Sequence, residues 1–221
     1  MPRGLFITGT DTGVGKTVAS AAVMHRYRGL ARLCYWKPVQ TGIEQDDDTA
    51  TVRYLGSCVD GEIFGEGIRL PRPLSPHLSA RLAGARIELG RICELFSRIP
   101  EQSAPVVEGA GGVLVPLNDT ELMADLMAAL SLPVVVVARS GLGTINHSLL
   151  TIDGLRSRGL GVRGVIMVGD QNSENRAAIE RFGGVPVLGE MPRLAELTPL
   201  AVRAWADAHL DRDNVLLECI R

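Results

Sequence analysis

Residues 9–17, with the sequence Gly-Thr-Asp-Thr-Gly-Val-Gly-Lys-Thr, constrain this chain more than any other segment. They follow an apolar run at residues 5–7, which predicts a buried strand, and they precede a run of helix formers at residues 18–24. A strand, a glycine-bearing loop that ends in Gly-Lys-Thr and a helix together form the setting in which such a loop binds phosphate. We therefore predict a nucleotide site near the beginning of the chain.

The residue types in this loop suit a polyphosphate. Gly13 and Gly15 allow the backbone to wrap around a phosphate, so that N–H groups point inwards at the N-terminus of the helix. Lys16 would reach the β- and γ-phosphates, and the Thr17 hydroxyl would ligate Mg²⁺. The spacing departs from the usual pattern in one place, because Thr10 stands where the first loop glycine is expected. The following Lys-Thr still favours a nucleotide site over a plain strand–helix turn.

Composition indicates an ordinary globular protein. The 221 residues, 46% hydrophobic and 22% charged, are enough for one domain with a full core. A formal net charge of −2 gives no electrostatic basis for a nucleic-acid or membrane-surface partner, and no apolar run approaches the length of a membrane span. The four scattered cysteines predict free thiols in a reducing compartment. We expect a cytoplasmic protein without a signal peptide.

Apolar strands alternate with helical patterns along the rest of the chain. Strands are predicted at residues 33–39, 105–108, 132–138, 162–168 and 185–189, and helices at 49–55, 76–83, 88–99, 176–182 and 200–210, with another that ends near 158 and an irregular segment at 56–75. The run at 132–138 is rich in valine, as in a central parallel strand that is covered on both faces. The alternation predicts one α/β domain over residues 1–221, with a mostly parallel central sheet.

Lys37 and Glu108 each stand where a predicted strand ends. Pro38 disfavours helix for the residue before it, which keeps Lys37 extended. Glu108 is followed by a glycine-rich stretch at residues 109–112, in the position where a phosphate-loop ATPase carries the acid that orders Mg²⁺, usually an Asp. Ligands bind at the C-terminal edge of open α/β sheets, and a buried carboxylate is costly unless it is paired or bound to metal. Both residues are therefore candidates for the site.

Two further stretches are candidates for the site, and the first of them allows two interpretations. The acidic run at residues 44–48 precedes a helix, so its carboxylates either complement the helix dipole or include one that faces Mg²⁺. The glycine-bearing loop at 139–147 enters another helix and is a second candidate anion site of backbone N–H groups. His77, just inside a helix start, is interpreted as structural rather than as a substrate contact.

Together these motifs resemble one family, the dethiobiotin synthetases, ATP-dependent enzymes of biotin synthesis. The matching strings are Thr-Gly-Thr-Asp-Thr and Val-Gly-Lys-Thr within 8–17, Lys-Pro-Val-Gln-Thr-Gly at 37–42, the acidic run ending at Asp48, Ser-Pro-His at 75–77, Glu-Gly-Ala-Gly-Gly at 108–112, Gly-Thr-Ile-Asn-His at 143–147 and Gly-Glu-Met-Pro at 189–192. They occur in the family's order and span nearly the whole chain. The resemblance implies a single-domain P-loop NTPase-like fold with helices on both faces of the sheet.

The resemblance also implies a reaction. The family converts 7,8-diaminononanoate, CO₂ and ATP into dethiobiotin, ADP and phosphate, through a carbamate and a carbamic-phosphoric anhydride, with Mg²⁺. By analogy, Lys16 and Lys37 would neutralise the carbamate and the transferring phosphoryl group, and Thr41 would hydrogen-bond the carbamate or its phosphate. The expected protein is an ATP-dependent cyclo-ligase.

The implied metal ligands are Thr17, Asp48 and Glu108. Asp48 is chosen from the acidic run because the family's acid lies immediately before the helix, and Asp46 and Asp47 stay open. The resemblance places ATP contacts at Thr12, Gly13, Val14, Gly15, Lys16 and Thr17, at Asp48, Glu108, Gly109, Ala110 and Gly111, and at Val168, Gly169, Pro192, Arg193 and Leu194.

The chain departs from the family where the base is read. The family often carries Asn-Asp there, and this chain has Val168 and Gly169. A valine side chain cannot offer the paired donor and acceptor of an amide. Base recognition then passes to backbone groups or to residues 192–194, and the preference for ATP over other nucleotides stays open.

The resemblance implies a substrate site that two subunits share. Thr41 and the helix start at Gly143, Thr144, Ile145 and Asn146 would bind the substrate, with its tail carboxylate held across a homodimer interface. The expected partners are therefore a second copy and the small molecules diaminononanoate, CO₂ and ATP, without nucleic acid or membrane.

Two other phosphate-loop classes fit less well. The cobyrinate-amidating enzymes normally add a glutaminase domain, for which the residues after 200 are too few. The partitioning ATPases carry a signature lysine early in the loop, where this chain has Asp11, and they lack the Lys-Pro-Val-x-Thr-Gly string found here at 37–42.

Overall fold

The computed structural model describes residues 3–221, so the first two residues of the predicted domain lie outside the described part. The strands are β1 (Leu5–Gly9), β2 (Leu33–Trp36), β3 (Val39–Thr41), β4 (Ile63–Phe64), β5 (Ile68–Leu70), β6 (Ala104–Gly112), β7 (Val134–Arg139), β8 (Val162–Val168) and β9 (Val187–Met191). Seven of them form a parallel sheet in the order β4-β2-β6-β1-β7-β8-β9, and β3 pairs with β5 in a separate parallel sheet.

Helices cover both faces of the seven-stranded sheet. They are α1 (Lys16–Tyr27), α2 (Asp48–Leu55), α3 (Pro76–Leu82), α4 (Leu89–Phe96), α5 (Met123–Leu130), α6 (Thr144–Arg156), α7 (Ser173–Gly183), α8 (Pro199–His209) and α9 (Leu217–Ile220). Helices α1, α2, α8 and α9 bury side chains in one apolar cluster, and α3 to α7 do so in the other. No helix of residues 3–221 is both long and apolar enough to cross a membrane.

The central strand β1 shows how the sequence produces these two layers. Successive side chains of a strand point to opposite faces, and Phe6 packs into one cluster while Leu5 and Ile7 pack into the other. All three are fully buried, as expected for a parallel strand that is covered on both sides. Full burial of such a side chain contributes about 1.5–3 kcal/mol to the free energy of unfolding. The C-terminal end of β1 is thereby fixed between β6 and β7.

The predicted strand at residues 33–39 is in fact two strands. β2 ends at Trp36 and β3 begins at Val39 in a different sheet. The reason is Pro38, which has no N–H to donate to a ladder. Residues 40 and 41 belong to β3, and the chain bends at Gly42, whose φ is +76°.

Other predicted boundaries also need correction. The irregular segment 56–75 contains β4 and β5, and no helix was predicted where α5 lies. The strand ending at Glu108 runs on to Gly112, with an irregular register against β1 between Ile7 and Gly9. Glu108 therefore lies within β6, rather than at its end, and is completely buried.

Candidate active site

The loop from β1 to α1 curls closely on itself. Gly13 and Gly15 have φ values of +69° and +98°, a left-handed region that favours glycine. A Cβ on Gly15 would lie 3.2 Å from the side chain of Val168, and one on Gly9 would lie 2.8 Å from Val14. Lys16 folds back over this loop and donates to the carbonyl oxygen of Asp11 at 2.9 Å. Two loop glycines therefore have left-handed backbones and the lysine lies against the loop, and the binding of phosphate by these residues stays a prediction.

Lys37 meets two carboxylates beside this loop. Its Nζ lies 2.7 Å from Asp48 Oδ2, 2.8 Å from Glu108 Oε1 and 3.0 Å from the carbonyl oxygen of Gly109. The lysine follows β2, Asp48 begins α2 and Glu108 belongs to β6. Three elements therefore converge on one ammonium group.

The Thr17 hydroxyl joins the loop to these carboxylates. Its Oγ1 lies 2.8 Å from Asp48 Oδ1 and 3.1 Å from Glu108 Oε1, so its one proton can serve either oxygen. Asp47 instead caps α2 by accepting from the N–H of Ala50 at 3.0 Å. Of the acidic run, Asp48 is the residue that contacts both Lys37 and Thr17, and its choice as the metal ligand stays a prediction.

Sequence reasoning did not find two residues of this cluster, Ser20 and Tyr35. Their hydroxyls donate to Glu108 Oε2 at 3.0 and 2.9 Å. Burial, and then the charge of Glu108, raise the pKa of Tyr35 well above its ordinary value, so the phenol keeps its proton. The sequence signal that could have found them is spacing: Ser20 lies about one helical turn after Thr17, and Tyr35 lies two residues before Lys37.

Burial and charge act against each other in the cluster. Lys37 is 3% exposed and Glu108 is 0% exposed. Burial disfavours the charged amine, but the attraction of Glu108 and Asp48 outweighs it and raises the pKa of Lys37. Burial likewise opposes ionisation of Asp48, but Lys37 lowers its pKa below the ordinary value. Burial, and then repulsion from Lys37, lower the pKa of Lys16 to about 8.

The other predicted site residues lie on neighbouring connections. Thr41 is in β3 and is partly exposed. Gly143, with a φ of +91°, precedes α6, in which Thr144 is buried and Asn146 is exposed. This connection lies beside the phosphate loop, because Arg139 at the end of β7 pairs with Asp11 at 2.9 Å.

The predicted base loop lies at the ends of β8 and β9. The Gly169 N–H donates to the Met191 carbonyl oxygen at 2.8 Å, which joins the two strand ends. Val168 packs against Gly15 of the phosphate loop, so its side chain helps to shape that loop. Pro192 and Arg193 are exposed, and Leu194 packs against the core under α1 and α8.

These features define an α/β protein with a phosphate-loop motif and, beside it, a Lys–Asp–Glu cluster in which Lys37 and Glu108 are buried and Asp48 is partly exposed. The family model described as an AAA domain matches residues 3–201. The ATP-dependent dethiobiotin synthetase BioD of Agrobacterium fabrum is 46% identical over 211 residues, which cover 95% of this chain and 95% of that protein. The BioD of Paramagnetospirillum magneticum is 48% identical over 200 residues, with coverage of 90% and 93%. The chain belongs to the dethiobiotin synthetase family. The predicted family and enzyme class, an ATP-dependent ligase, are confirmed.

Solved structures share the fold at low identity. A ParA family ATPase from Chlorobium tepidum has a TM-score of 0.58 at 12% identity, covering 100% of this chain and 97% of that one. The signal recognition particle receptor FtsY from Elizabethkingia anophelis has a TM-score of 0.57 at 12% identity, covering 94% of this chain and 65% of that one. They confirm the predicted P-loop NTPase-like fold with its mostly parallel sheet.

Proposed function

We propose that this protein joins 7,8-diaminononanoate and CO₂ into dethiobiotin while ATP is converted to ADP and phosphate. The main support for this proposal is Lys37. After Lys16 it is the second buried ammonium group at the site, and it lies 2.7 Å from Asp48 and 2.8 Å from Glu108 beside the phosphate loop. Hydrolysis of ATP alone needs one loop lysine at the phosphates. A second lysine suits a second anion that reacts with the γ-phosphate, and a carbamate is such an anion. The two BioD relatives, at 46% and 48% identity, support the same reaction.

The proposed chemistry has three steps. One amine of the substrate attacks CO₂, loses a proton and becomes a carbamate. A carbamate oxygen then attacks the γ-phosphorus of ATP, the bond from that phosphorus to the β,γ-bridging oxygen breaks, and ADP leaves. The second amine attacks the carbamate carbon, loses a proton and expels phosphate, which closes the cyclic urea.

Lys16 and Lys37 would stabilise the charge that moves in the second step. Negative charge spreads over the phosphoryl oxygens in the transition state, and ammonium groups already in place need no reorganisation there. The raised pKa of Lys37 keeps this group protonated at neutral pH. Thr41 would hydrogen-bond the carbamate or its phosphate. Because these interactions are strongest in the transition state, they would raise kcat more than affinity.

Thr17, Asp48 and Glu108 fit Mg²⁺. The threonine oxygen lies 2.8 Å from an oxygen of Asp48 and 3.1 Å from one of Glu108, and Mg²⁺ prefers oxygen ligands of this kind. These three residues would hold the ion, which, when bound, supplies positive charge to the nucleotide phosphates. Lys37 contacts the same two carboxylates and offsets their negative charge.

The nucleotide would follow the C-terminal edge of the sheet. The proposed contacts are residues 12–17, Asp48, residues 108–111, Val168 and Gly169, and residues 192–194. Since Val168 packs against the loop, the base would be read by backbone groups and by the exposed residues Pro192 and Arg193. Such a site distinguishes bases weakly, so ATP is the proposed substrate but not an exclusive one.

We further propose a homodimer whose interface includes α6. Gly143, Thr144, Ile145 and Asn146 would hold the tail carboxylate of the substrate at the N-terminus of this helix. Next to them Leu142 is fully exposed and Leu150 is 63% exposed, an apolar surface that a second copy would cover. The active site would then need both subunits.

The proposed location is the cytoplasm. All four cysteines are free, which suits a reducing compartment. Burial raises the pKa of the Cys34 and Cys58 thiols to about 11, so neither is a reactive thiolate at neutral pH.

One assay tests the reaction directly. Purified protein is incubated with diaminononanoate, bicarbonate, Mg²⁺ and ATP, and the products are followed by mass spectrometry and ADP release. We expect the cyclic urea and ADP to form in equal amounts. When diamine or bicarbonate is omitted, we expect neither product to form above background. ATP hydrolysis without cyclic urea would contradict the proposal, as would a product that forms without ATP.

A further inference from the structure

The two carboxylate oxygens of Glu108 have different environments. Oε2 accepts from the hydroxyls of Ser20 and Tyr35 at 3.0 and 2.9 Å. Oε1 faces Lys37 at 2.8 Å and Thr17 at 3.1 Å. One oxygen is therefore held by the scaffold, and the other is presented to the proposed metal and phosphate site.

Each residue that holds Oε2 lies close in sequence to a residue that contacts Oε1. Ser20 lies three residues after Thr17 in α1, and side chains at this spacing share a helix face. Tyr35 lies in β2, two residues before Lys37, which directly follows that strand, and both side chains reach Glu108. Helix α1 and the segment made of β2 and the residue after it thus supply both the groups around Oε1 and the groups that fix Oε2.

A glutamate needs such support more than an aspartate does. It has one more rotatable bond, so a free glutamate side chain loses more conformational entropy when it is held in one position. Ser20, Tyr35 and Glu108 are all 0% exposed, so their hydrogen bonds do not compete with bulk water. Two buried donors on one oxygen leave the carboxylate little freedom to rotate.

We infer that Tyr35 and Ser20 are positioning residues that orient Glu108 Oε1 towards the magnesium ion accompanying the nucleotide. The inference rests on the proposed function only in that this metal is part of it. Neither residue is among the proposed substrate contacts, and both side chains are fully buried. Both act through Glu108, in the way that groups behind a metal ligand fix its orientation and tune the affinity of the site.

The test measures metal-dependent nucleotide binding without any diamine. The affinity of the non-hydrolysable analogue AMP-PNP is determined by calorimetry with Mg²⁺ and again with EDTA, and the ratio of the two is the gain due to metal. Tyr35→Phe keeps the ring and removes only the hydroxyl. We expect the gain to fall about tenfold in this variant, with metal-free affinity unchanged within about twofold.

Two other variants make the result specific. Ser20→Ala removes the second donor and should lower the gain in the same direction, which keeps the inference testable if Tyr35→Phe folds poorly. Tyr27→Phe is the matched control, because Tyr27 is a second buried tyrosine whose hydroxyl bonds a carboxylate, that of Asp211, outside the cluster. It should lower thermal stability and leave the gain due to Mg²⁺ unchanged.

A double variant tests whether the effect passes through Glu108. Glu108→Gln alone should sharply raise the Mg²⁺ requirement, and Tyr35→Phe should add little in that background. An unchanged gain in both Tyr35→Phe and Ser20→Ala would overturn the inference. Equal losses with Mg²⁺ and with EDTA would also overturn it, as would a wild-type protein with no gain due to Mg²⁺. Failure to form dethiobiotin would contradict only the proposed function, since the calorimetry does not involve that reaction.

Discussion

Lys37 has a structural role as well as its proposed catalytic one. It is 3% exposed and neutralises two carboxylates, one of them fully buried. Removing one member of a buried ion pair leaves an uncompensated charge in a site of low dielectric. The same side chain therefore bears on both the stability of the folded protein and the proposed phosphoryl transfer.

We predict that Lys37→Gln lowers the free energy of unfolding by about 3 kcal/mol and kcat by at least about 100-fold. ATP binding should stay largely intact, because the lysine is assigned to the transition state. Chemical denaturation, steady-state kinetics and calorimetry measure the three quantities. Arg53→Gln, which breaks an exposed ion pair with Asp60, is the control and should change none of them. Wild-type kcat in Lys37→Gln would remove this residue from the mechanism.

Among the elements of the fold, the two loops that follow β1 and β7 contain glycines with different surroundings, Gly15 in the first loop and Gly141 in the second. Gly15 has a φ of +98°, and a Cβ there would lie 3.2 Å from Val168. Gly141 has open space around it and no positive φ. We predict that Gly15→Ala costs about 1–3 kcal/mol of stability and weakens nucleotide binding, because strain and contact with β8 act together.

Gly141→Ala should leave both the stability and the nucleotide affinity close to wild type. Thermal unfolding and calorimetry of the two variants provide the comparison. Equal behaviour of the two alanine variants would show that the left-handed backbone of the loop does not matter for binding.

The contact between α1 and α2 carries a pH dependence. His25 Nε2 lies 2.8 Å from the carbonyl oxygen of Leu55, the last residue of α2. Burial lowers the pKa of His25 below 6.5, and the hydrogen bond to Leu55 offsets this only in part. The unfolded chain then binds more protons than the folded protein just below pH 6.5, so stability falls as pH falls through that value.

We predict that His25→Gln flattens this decline between pH 7.5 and 5.5. The glutamine amide can still donate to Leu55, and it does not titrate. The midpoint of thermal unfolding, followed across this range, should fall less in the variant than in the wild type. Parallel profiles would show that another group is responsible.

For the whole molecule, the proposed dimer requires that the exposed surface at the start of α6 be covered by a second subunit. Leu142 is fully exposed beside the helix start that would hold the substrate carboxylate. We predict that Leu142→Glu converts the dimer to a monomer and lowers kcat/KM for the diamine, while nucleotide binding persists. Leu200→Glu is the control, since Leu200 is 76% exposed on α8, which packs on the opposite face of the sheet.

Light scattering coupled to size exclusion gives the mass of each variant. A wild-type monomer that turns over normally would contradict the shared active site. So would a Leu142→Glu monomer with full activity.

Local pattern determined much of the fold and part of the candidate site. The loop between β1 and α1 was predicted because glycine conformation and strand–helix context are properties of consecutive residues. Strand β8 has the predicted bounds, Val162–Val168, because an apolar run is visible without knowledge of its neighbours. The family, too, could be recognised from short strings in order.

The tertiary structure decided which of these pieces meet. Lys37 and Glu108 lie 71 positions apart, and Thr17 and Asp48 lie 31 apart, so no local period relates them. The separate β3–β5 sheet and the continuation of β6 beyond Glu108 likewise depend on strand neighbours. In the sequence, Ser20 and Tyr35 resemble ordinary core residues. Only the tertiary structure shows that both hydroxyls donate to the same buried oxygen of Glu108. The sequence by itself determines local backbone conformation, because this depends on consecutive residues. The tertiary structure decides which distant charged groups pair, because burying an unpaired polar group costs free energy.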